Sequence, residues 1–452
     1  MSSGQKVLGF LLIVAGSVSN PWVLAKLFSN DGQITTTAVF VGVVLVEIAI
    51  ALIGVSVWRI GNRPIVNVGL LLFSGWLTIA FSIGADRLYG RYLMPETADL
   101  LFPAFSVANH NTSEFELTVR INNLGFRGPN TSIEKQRKRV LLLGDSFSFG
   151  WGVELENTWI HLLSQKYPDI EFLNLGQGGN HPGDYVRIAK RAIPLLNPDL
   201  VFISILQGND NNQLMRVIEF EKSGKIIETD SNQVESKHAK LQRYLRIIFP
   251  NLTKRFFRIA NIQQRWKTDA TKLLFELSKE QNAKYESLEL DIRTAFENGQ
   301  LNPSLIHESL NHPKMFLESV DTSNALCKNG ITRMHDHLKE VKELCNQIGS
   351  DLIILDLPNR PYGFPNTLKA LDALGYFVKG CDTLNASLPT QLAVSDLNNP
   401  LISPSLFGTD EPLYYQYDGH WNAEGNRIFA QELNKSLEQD STWKHFLTSS
   451  SF

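Results

Sequence analysis

Ser146 closes an apolar run in "LLLGDSFSFGWG", residues 141–152. A serine hydroxyl is a weak nucleophile and attacks a carbonyl only when a base within hydrogen-bond reach takes its proton. Near the C-terminus, "YDGHWNAEGNRIFAQEL" supplies such a base: His420 for the Ser146 proton, and Asp418 for the other ring nitrogen. In an extended segment residues two apart project from one face, so Asp418 is expected to reach His420 directly. The tetrahedral oxyanion needs fixed donors. The N–H of Ser146, the N–H of Gly179 in "NLGQGGN" and the side-chain amide of Asn209 in "QGNDNN" are the candidates. Asp145, Asp210 and Trp421 are candidate substrate-binding residues. An indole beside the base is shaped to stack on a sugar face and to keep water from an acyl-enzyme.

Each piece alone has an ordinary role. Gly-Asp-Ser can end a strand in a turn, and Gly179 can be a left-handed turn glycine. Asn209, Asp210 and Asp418 can cap helices, and Trp421 can simply pack the last helix. The chemistry is argued by the whole set, in one order, at element ends. Cys327, Cys345 and Cys381 are too few and too scattered for a zinc site, and no metal or other cofactor is expected. If 327–345 is helical, those two cysteines lie roughly 27 Å apart and cannot pair. A bridge to Cys381 remains open.

The elements that must position these residues are legible as apolar runs. "KRVLLLG", "IEFLNLG", "DLVFISIL" and "SDLIILDLP" are continuous rather than alternating, as in strands buried on both faces. Helical stretches such as "TWIHLLSQKY" and "DYVRIAKRAIPLL" separate them. The alternation predicts an α/β domain with a parallel sheet, and ligands of such sheets collect at the carboxyl ends of the strands. A charged stretch over 215–325 reads as a helical insertion.

The four blocks "GDSFSFG", "NLGQGG", "GND" and "DGHW" resemble those of the SGNH hydrolases, also called the GDSL family, in type and order. The resemblance covers roughly residues 120–214 and 330–440. It implies a three-layer α/β/α domain and a serine esterase or acyltransferase. "NNLGFRG" is similar to the lead-in of membrane-linked bacterial members associated with exopolysaccharides. Two departures stand out. The third block is usually G-x-N-D, whereas Gln207-Gly208 precede Asn209 here. The last block is commonly D-x-x-H, whereas Asp418 stands two residues before His420, and Tyr417 holds the usual acid place. A D-x-H-W arrangement is similar to that of alginate-type O-acetyltransferases, where the block order differs.

The first 85 residues hold three apolar windows, Val7–Phe28, Thr37–Trp58 and Val66–Gly84, each near the ~20 residues that a helix needs to span a bilayer. Lys6, Arg59 and Arg63 favour one orientation, while Lys26, Arg87 and Arg91 favour the other. Three spans put the C-terminal part opposite the N-terminus. Glu47, inside the second window, is a candidate functional carboxylate, or else a protonated Glu bonded to polar groups of a neighbouring helix such as Ser19 or Asn20. A net charge of -3 gives no nucleic-acid footprint.

The expected organisation is a membrane anchor over 1–85, a turn-rich connection over 86–135, an SGNH-type domain over 136–214 and 326–452, and the insertion over 215–325. The expected protein is multi-pass in the inner (cytoplasmic) membrane, with its catalytic domain periplasmic or extracellular. It acts on a cell-surface polysaccharide as an O-acyltransferase or esterase, with a membrane acyltransferase as a possible docked partner. A lipid-directed esterase and an inactive scaffold of a polysaccharide-assembly complex are the alternatives.

Overall fold

The computed structural model describes residues 2–28, 37–60, 62–93, 96–223, 245, 248–251, 253, 259–406 and 412–449. The described residues of 1–95 and 231–257 form one compact unit, and those of 96–230 and 258–452 form another.

The first unit is built on apolar helices: α1 Ser3–Val18, α2 Pro21–Phe28, α3 Thr37–Arg59 and α4 Arg63–Tyr92. The first apolar window is therefore not one helix. It breaks at Ser19-Asn20, where the Asn20 side chain accepts the Val23 N–H at 3.0 Å and Pro21 has no N–H to continue the ladder. α1 and α3 meet through glycines. A Cβ at Gly9 would lie 2.8 Å from the Gly54 carbonyl oxygen, so only small residues permit this approach. Among the described residues one helix, the 30-residue α4, is long and apolar enough to cross a membrane by length and composition. α3 spans the second window, but the side chains of 37–40 and 42 lie outside the described residues, as do the loop 29–36 and Gly61. Glu47 makes no hydrogen bond to Ser19 or Asn20. The Ser19 hydroxyl donates to the Ala15 carbonyl at 2.8 Å and accepts the Trp76 indole N–H at 2.9 Å, and the Asn20 amide donates to the Ser17 carbonyl at 2.8 Å. Buried Asp86 of α4 accepts the backbone N–H of Asn251 at 3.1 Å and its amide at 3.0 Å. The stretch 215–325 thus divides between the two units, with residues around Asn251 packing on the apolar helices. Residues 224–244 of that stretch lie outside the described residues.

The second unit opens with a hairpin that the sequence pattern hides, β1 Val107–Asn111 against β2 Glu116–Arg120. The four apolar runs then become β3 Lys138–Gly144, β4 Ile170–Gly176, β5 Leu200–Leu206 and, after β6 Ile259–Asn261 beside β1, β7 Asp351–Leu357. With β8 Leu401–Ile402 they form a five-stranded sheet in the order β4-β3-β5-β7-β8, parallel throughout. Alternate residues serve two cores. Leu141, Leu143, Val201, Ile203 and Ile354 face one side, against the helices Pro182–Leu196 and Ala325–Ile348. Val140, Leu142, Phe202, Ile353 and Leu355 face the other, against Trp159 of helix Trp159–Lys166, Phe429 of helix Ala423–Leu437 and Trp443 of helix Ser441–Thr448. This is the α/β/α layering the continuous apolar runs require. Cys327, Cys345 and Cys381 are all buried and free, so Cys381 bridges neither of the others.

Candidate active site

β3 ends at Gly144, where a Cβ would lie 2.0 Å from the Ser204 hydroxyl and 2.4 Å from that of Ser148. Only glycine lets the chain turn there against β5. Asp145 then caps the short helix Ser146–Phe149, accepting the Phe147 N–H at 2.9 Å. Of residues 141–150, Ser146 alone is not buried. Its neighbour Ser148 is buried with its hydroxyl 2.5 Å from that of Ser204, which removes it as a rival nucleophile.

Ser146 Oγ lies 2.7 Å from His420 Nε2, and His420 Nδ1 lies 2.6 Å from Asp418 Oδ1. With Nδ1–H donating to the carboxylate, Nε2 is left to accept the Ser146 proton. Asp418 is buried, and burial pushes its carboxyl up. The contact with His420 and the indole N–H of Trp151, at 3.2 Å from Oδ2, outweigh burial and hold it below the ordinary value. An acid held ionised beside the ring suits a partner that stabilises imidazolium.

The route from Asp418 to His420 differs from the expected one. Gly419 has φ +84°, so the segment is a turn and not an extended strand. A Cβ at Gly419 would lie 2.5 Å from the Arg360 guanidinium carbon, so glycine is required on both counts. The turn sits in a loop closed by the Tyr414–Trp421 bridge and by the Tyr415 N–H donating to the His420 carbonyl at 2.9 Å.

The oxyanion donors remain expectations, with this placement. The N–H groups of Ser146 and Gly179 have no acceptor among the described residues. Gly179 has φ +79° and is exposed, with open space where a Cβ would be. A Cβ at the adjacent Gly178 would lie 3.8 Å from that of Ser146. Asn209 begins the helix Asn209–Ser223, is partly exposed, and its amide reaches Asp145 Oδ2 at 3.4 Å. Asn211 and Asn212 do not replace it. The Asn211 amide donates to the Ser319 carbonyl at 2.7 Å, and Asn212 accepts from Arg216 at 3.2 Å.

The three candidate substrate-binding residues are all buried. Asp145 is buried and spent on capping. Asp210 is fully buried, accepting the Tyr185 hydroxyl at 2.7 Å and the Leu206 N–H at 2.6 Å. Burial pushes both carboxyls up, and the nearby Asp145 raises Asp210 further. Trp421 is 1% exposed, stacked on Phe429 at 4.5 Å and edge-on to Phe147 at 4.9 Å. It packs the helix Ala423–Leu437 and offers no face to a sugar.

Several residues around the site carry no sequence signal of their own. Trp151, five residues after the nucleophile, stacks on Trp266 at 5.9 Å and packs on His110 at 4.6 Å. Trp266 lies on the helix Ile262–Glu276, so the insertion backs the site. Arg127, the arginine of "NNLGFRG", donates to the carbonyls of Phe149, Gly150 and Val153 at 3.1, 2.6 and 2.5 Å and so fixes the loop that bears Trp151. Glu114 and Arg360 grip the Asp418 turn. Among the described residues no cluster of three or more metal-ligating side chains occurs.

No protein-family model and no curated protein sequence matches the chain. Solved structures do. TesA shares 11% identity over 67% of this chain and 99% of its own, with a TM-score of 0.31. The psychrotrophic esterase EstA from Pseudoalteromonas sp. shares 12% over 67% and 97%, with a TM-score of 0.31. A G-D-S-L family lipolytic protein from Desulfitobacterium hafniense shares 13% over 66% and 99%, with a TM-score of 0.29. At such scores a likeness carries no functional weight, and the chemistry must come from the chain's own geometry.

Proposed function

We propose that the chain is a serine esterase or O-acyltransferase working through an acyl-enzyme on Ser146. The observation that carries this reading is the continuous line Asp418–His420–Ser146, at 2.6 and 2.7 Å. Ser146 Oγ attacks the acyl carbonyl as His420 Nε2 takes its proton. The N–H groups of Ser146 and Gly179, with the Asn209 amide, receive the oxyanion. The departing alkoxide takes the proton from His420 and leaves as the alcohol. Water or a second hydroxyl, deprotonated by His420, then attacks the acyl-enzyme, and its collapse frees Ser146. Asp418 stays ionised throughout.

The finer part of the proposal is that the chain sits in a membrane and acts on an acylated polysaccharide, with a membrane acyltransferase as its possible partner. α4, 30 residues long and apolar, supports the membrane placement. The test is labelling with a fluorophosphonate probe. The wild type is expected to label at Ser146. Ser146→Ala abolishes labelling, and His420→Ala slows it by about 10⁴-fold or more. Labelling that persists in Ser146→Ala would move the nucleophile elsewhere. Acceptor oligosaccharides added to the folded enzyme then separate transfer from hydrolysis.

A further inference from the structure

The acid and base of this chain are only two residues apart, so the turn between them sets their distance. That turn is gripped from both ends by opposite charges. On one side buried Arg360 donates through Nη1 to the Gln416 carbonyl at 2.6 Å and through Nη2 to the Tyr417 carbonyl at 3.1 Å. On the other, the Glu114 carboxylate accepts the Tyr417 N–H at 3.1 Å and the Asp418 N–H at 2.6 Å. The two grips match the turn's own polarity, a guanidinium on the carbonyls and a carboxylate on the N–H groups. Glu114 comes from far away in the sequence, in the tight connection between β1 and β2. There the Thr112 hydroxyl accepts the N–H groups of Glu114 and Phe115 at 3.1 and 3.0 Å.

We infer that Glu114 is a positioning residue of the active site: its carboxylate holds the Tyr417–Asp418 backbone so that Asp418 meets His420. The inference rests on the acyl-enzyme reading above. Placing a second carboxylate against the catalytic acid is costly, since burial pushes the Glu114 carboxyl up and repulsion from Asp418 adds to the rise. Arg360 offsets the repulsion, being near both acids, and Tyr415 and Tyr417 are the other titratable groups facing Glu114. Glu114 acts through the turn, and its expected signature is a loss in turnover without a loss in binding. An ångström of misplacement at a catalytic group costs up to about 10²-fold in rate.

The experiment uses the full chain, the fluorophosphonate probe and 4-nitrophenyl acetate. Glu114→Ala is expected to lower both the Ser146 labelling rate and kcat by about 10–100-fold with KM unchanged. Glu114→Gln, whose amide oxygen accepts the same N–H groups in weaker bonds, is expected to recover most of that loss. Circular dichroism checks that each variant is folded. If Glu114→Ala does not fold, Glu114→Asp, one methylene shorter, takes its place with the same expectation. A folded Ala or Asp variant that labels at the wild-type rate overturns the inference. So does a folded Gln variant as slow as Ala, since the hydrogen bonds would then not be what matters. A wild type that does not label at Ser146 overturns the acyl-enzyme reading itself, an outcome distinct from both.

Discussion

The nucleophile and the acid–base pair are held in contrasting ways. Ser146 is placed by its immediate neighbours. Gly144 turns the chain, Asp145 caps the helix, and the Ser146 carbonyl accepts the N–H groups of Gly150 and Trp151, both at 3.1 Å. Asp418 and His420 are placed by residues distant in sequence: Glu114 and Trp151 from the far N-terminal side of the domain, and Arg360 from just past the end of β7. A strand end can be fixed locally because the sheet has already fixed the strand. A loop of irregular backbone has no such frame, and its polar groups must be satisfied by whatever the fold brings near. The difference teaches that the catalytic turn depends on the β1–β2 hairpin, while the nucleophile turn depends on the sheet.

Two substitutions probe that contrast where the regions touch. Trp421 joins them, since its ring meets Phe147 from the nucleophile side and Phe429 from the helix Ala423–Leu437. Trp421→Ala is expected to lower the unfolding free energy by about 3–5 kcal/mol, as truncation of a large buried aromatic does. Denaturant unfolding measures this. In the fraction that remains folded, hydrolysis and transfer should change together, and a loss confined to transfer would mean that the indole reaches the acceptor after all. Asn209→Ala tests the nucleophile side alone. Turnover is expected to fall by about 10²–10³-fold, with stability little changed, if its amide turns from Asp145 to the oxyanion. An unchanged rate would leave the backbone N–H groups of Ser146 and Gly179 as the donors and would make Asn209 a cap of the helix Asn209–Ser223.

The same contrast explains what was legible in the sequence. The four strands could be read because burial on both faces demands an unbroken apolar run, and β3, β4, β5 and β7 lie where those runs lie. The hairpin "VANHN"/"ELTVR" was missed because its strands are short and mostly polar. The pairing of Ser146 with His420 could be anticipated from residue types and element ends. The support of Asp418 could not, since nothing in "NHNTSEF" marks Glu114 as a partner for a turn three hundred residues on. Trp421 misled for a related reason: its neighbour in sequence is the base, yet its side chain points to the core on the other side of the turn. Asp145 and Asp210 are polar residues in conspicuous motifs whose polarity is consumed inside the fold.

The hairpin's own contribution is open to a pH measurement. His110, on β1, is 3% exposed and packs on Trp151, the residue that donates to Asp418. Burial, with Arg127 adding, pushes its imidazole down to about 4 from an ordinary 6.5. Between those two values the unfolded chain binds the proton and the folded chain does not. Stability therefore rises with pH across that window and is lost as pH falls through it. The shift corresponds to at most about 3 kcal/mol between pH 6.5 and pH 4. Partial burial also lowers the imidazoles of His181, His312 and His337, so the informative quantity is the difference from His110→Phe, which keeps a ring against Trp151 and cannot take a proton. That variant is expected to gain on the wild type by about 2–3 kcal/mol on going from pH 6.5 to pH 4, with little difference between them above pH 7. Urea unfolding at a series of pH values measures it. A difference that stays constant with pH would mean that water reaches His110 in the folded state. The hairpin would then be loosely seated beside Trp151, and the dependence of the catalytic turn on it would be weaker than the geometry implies.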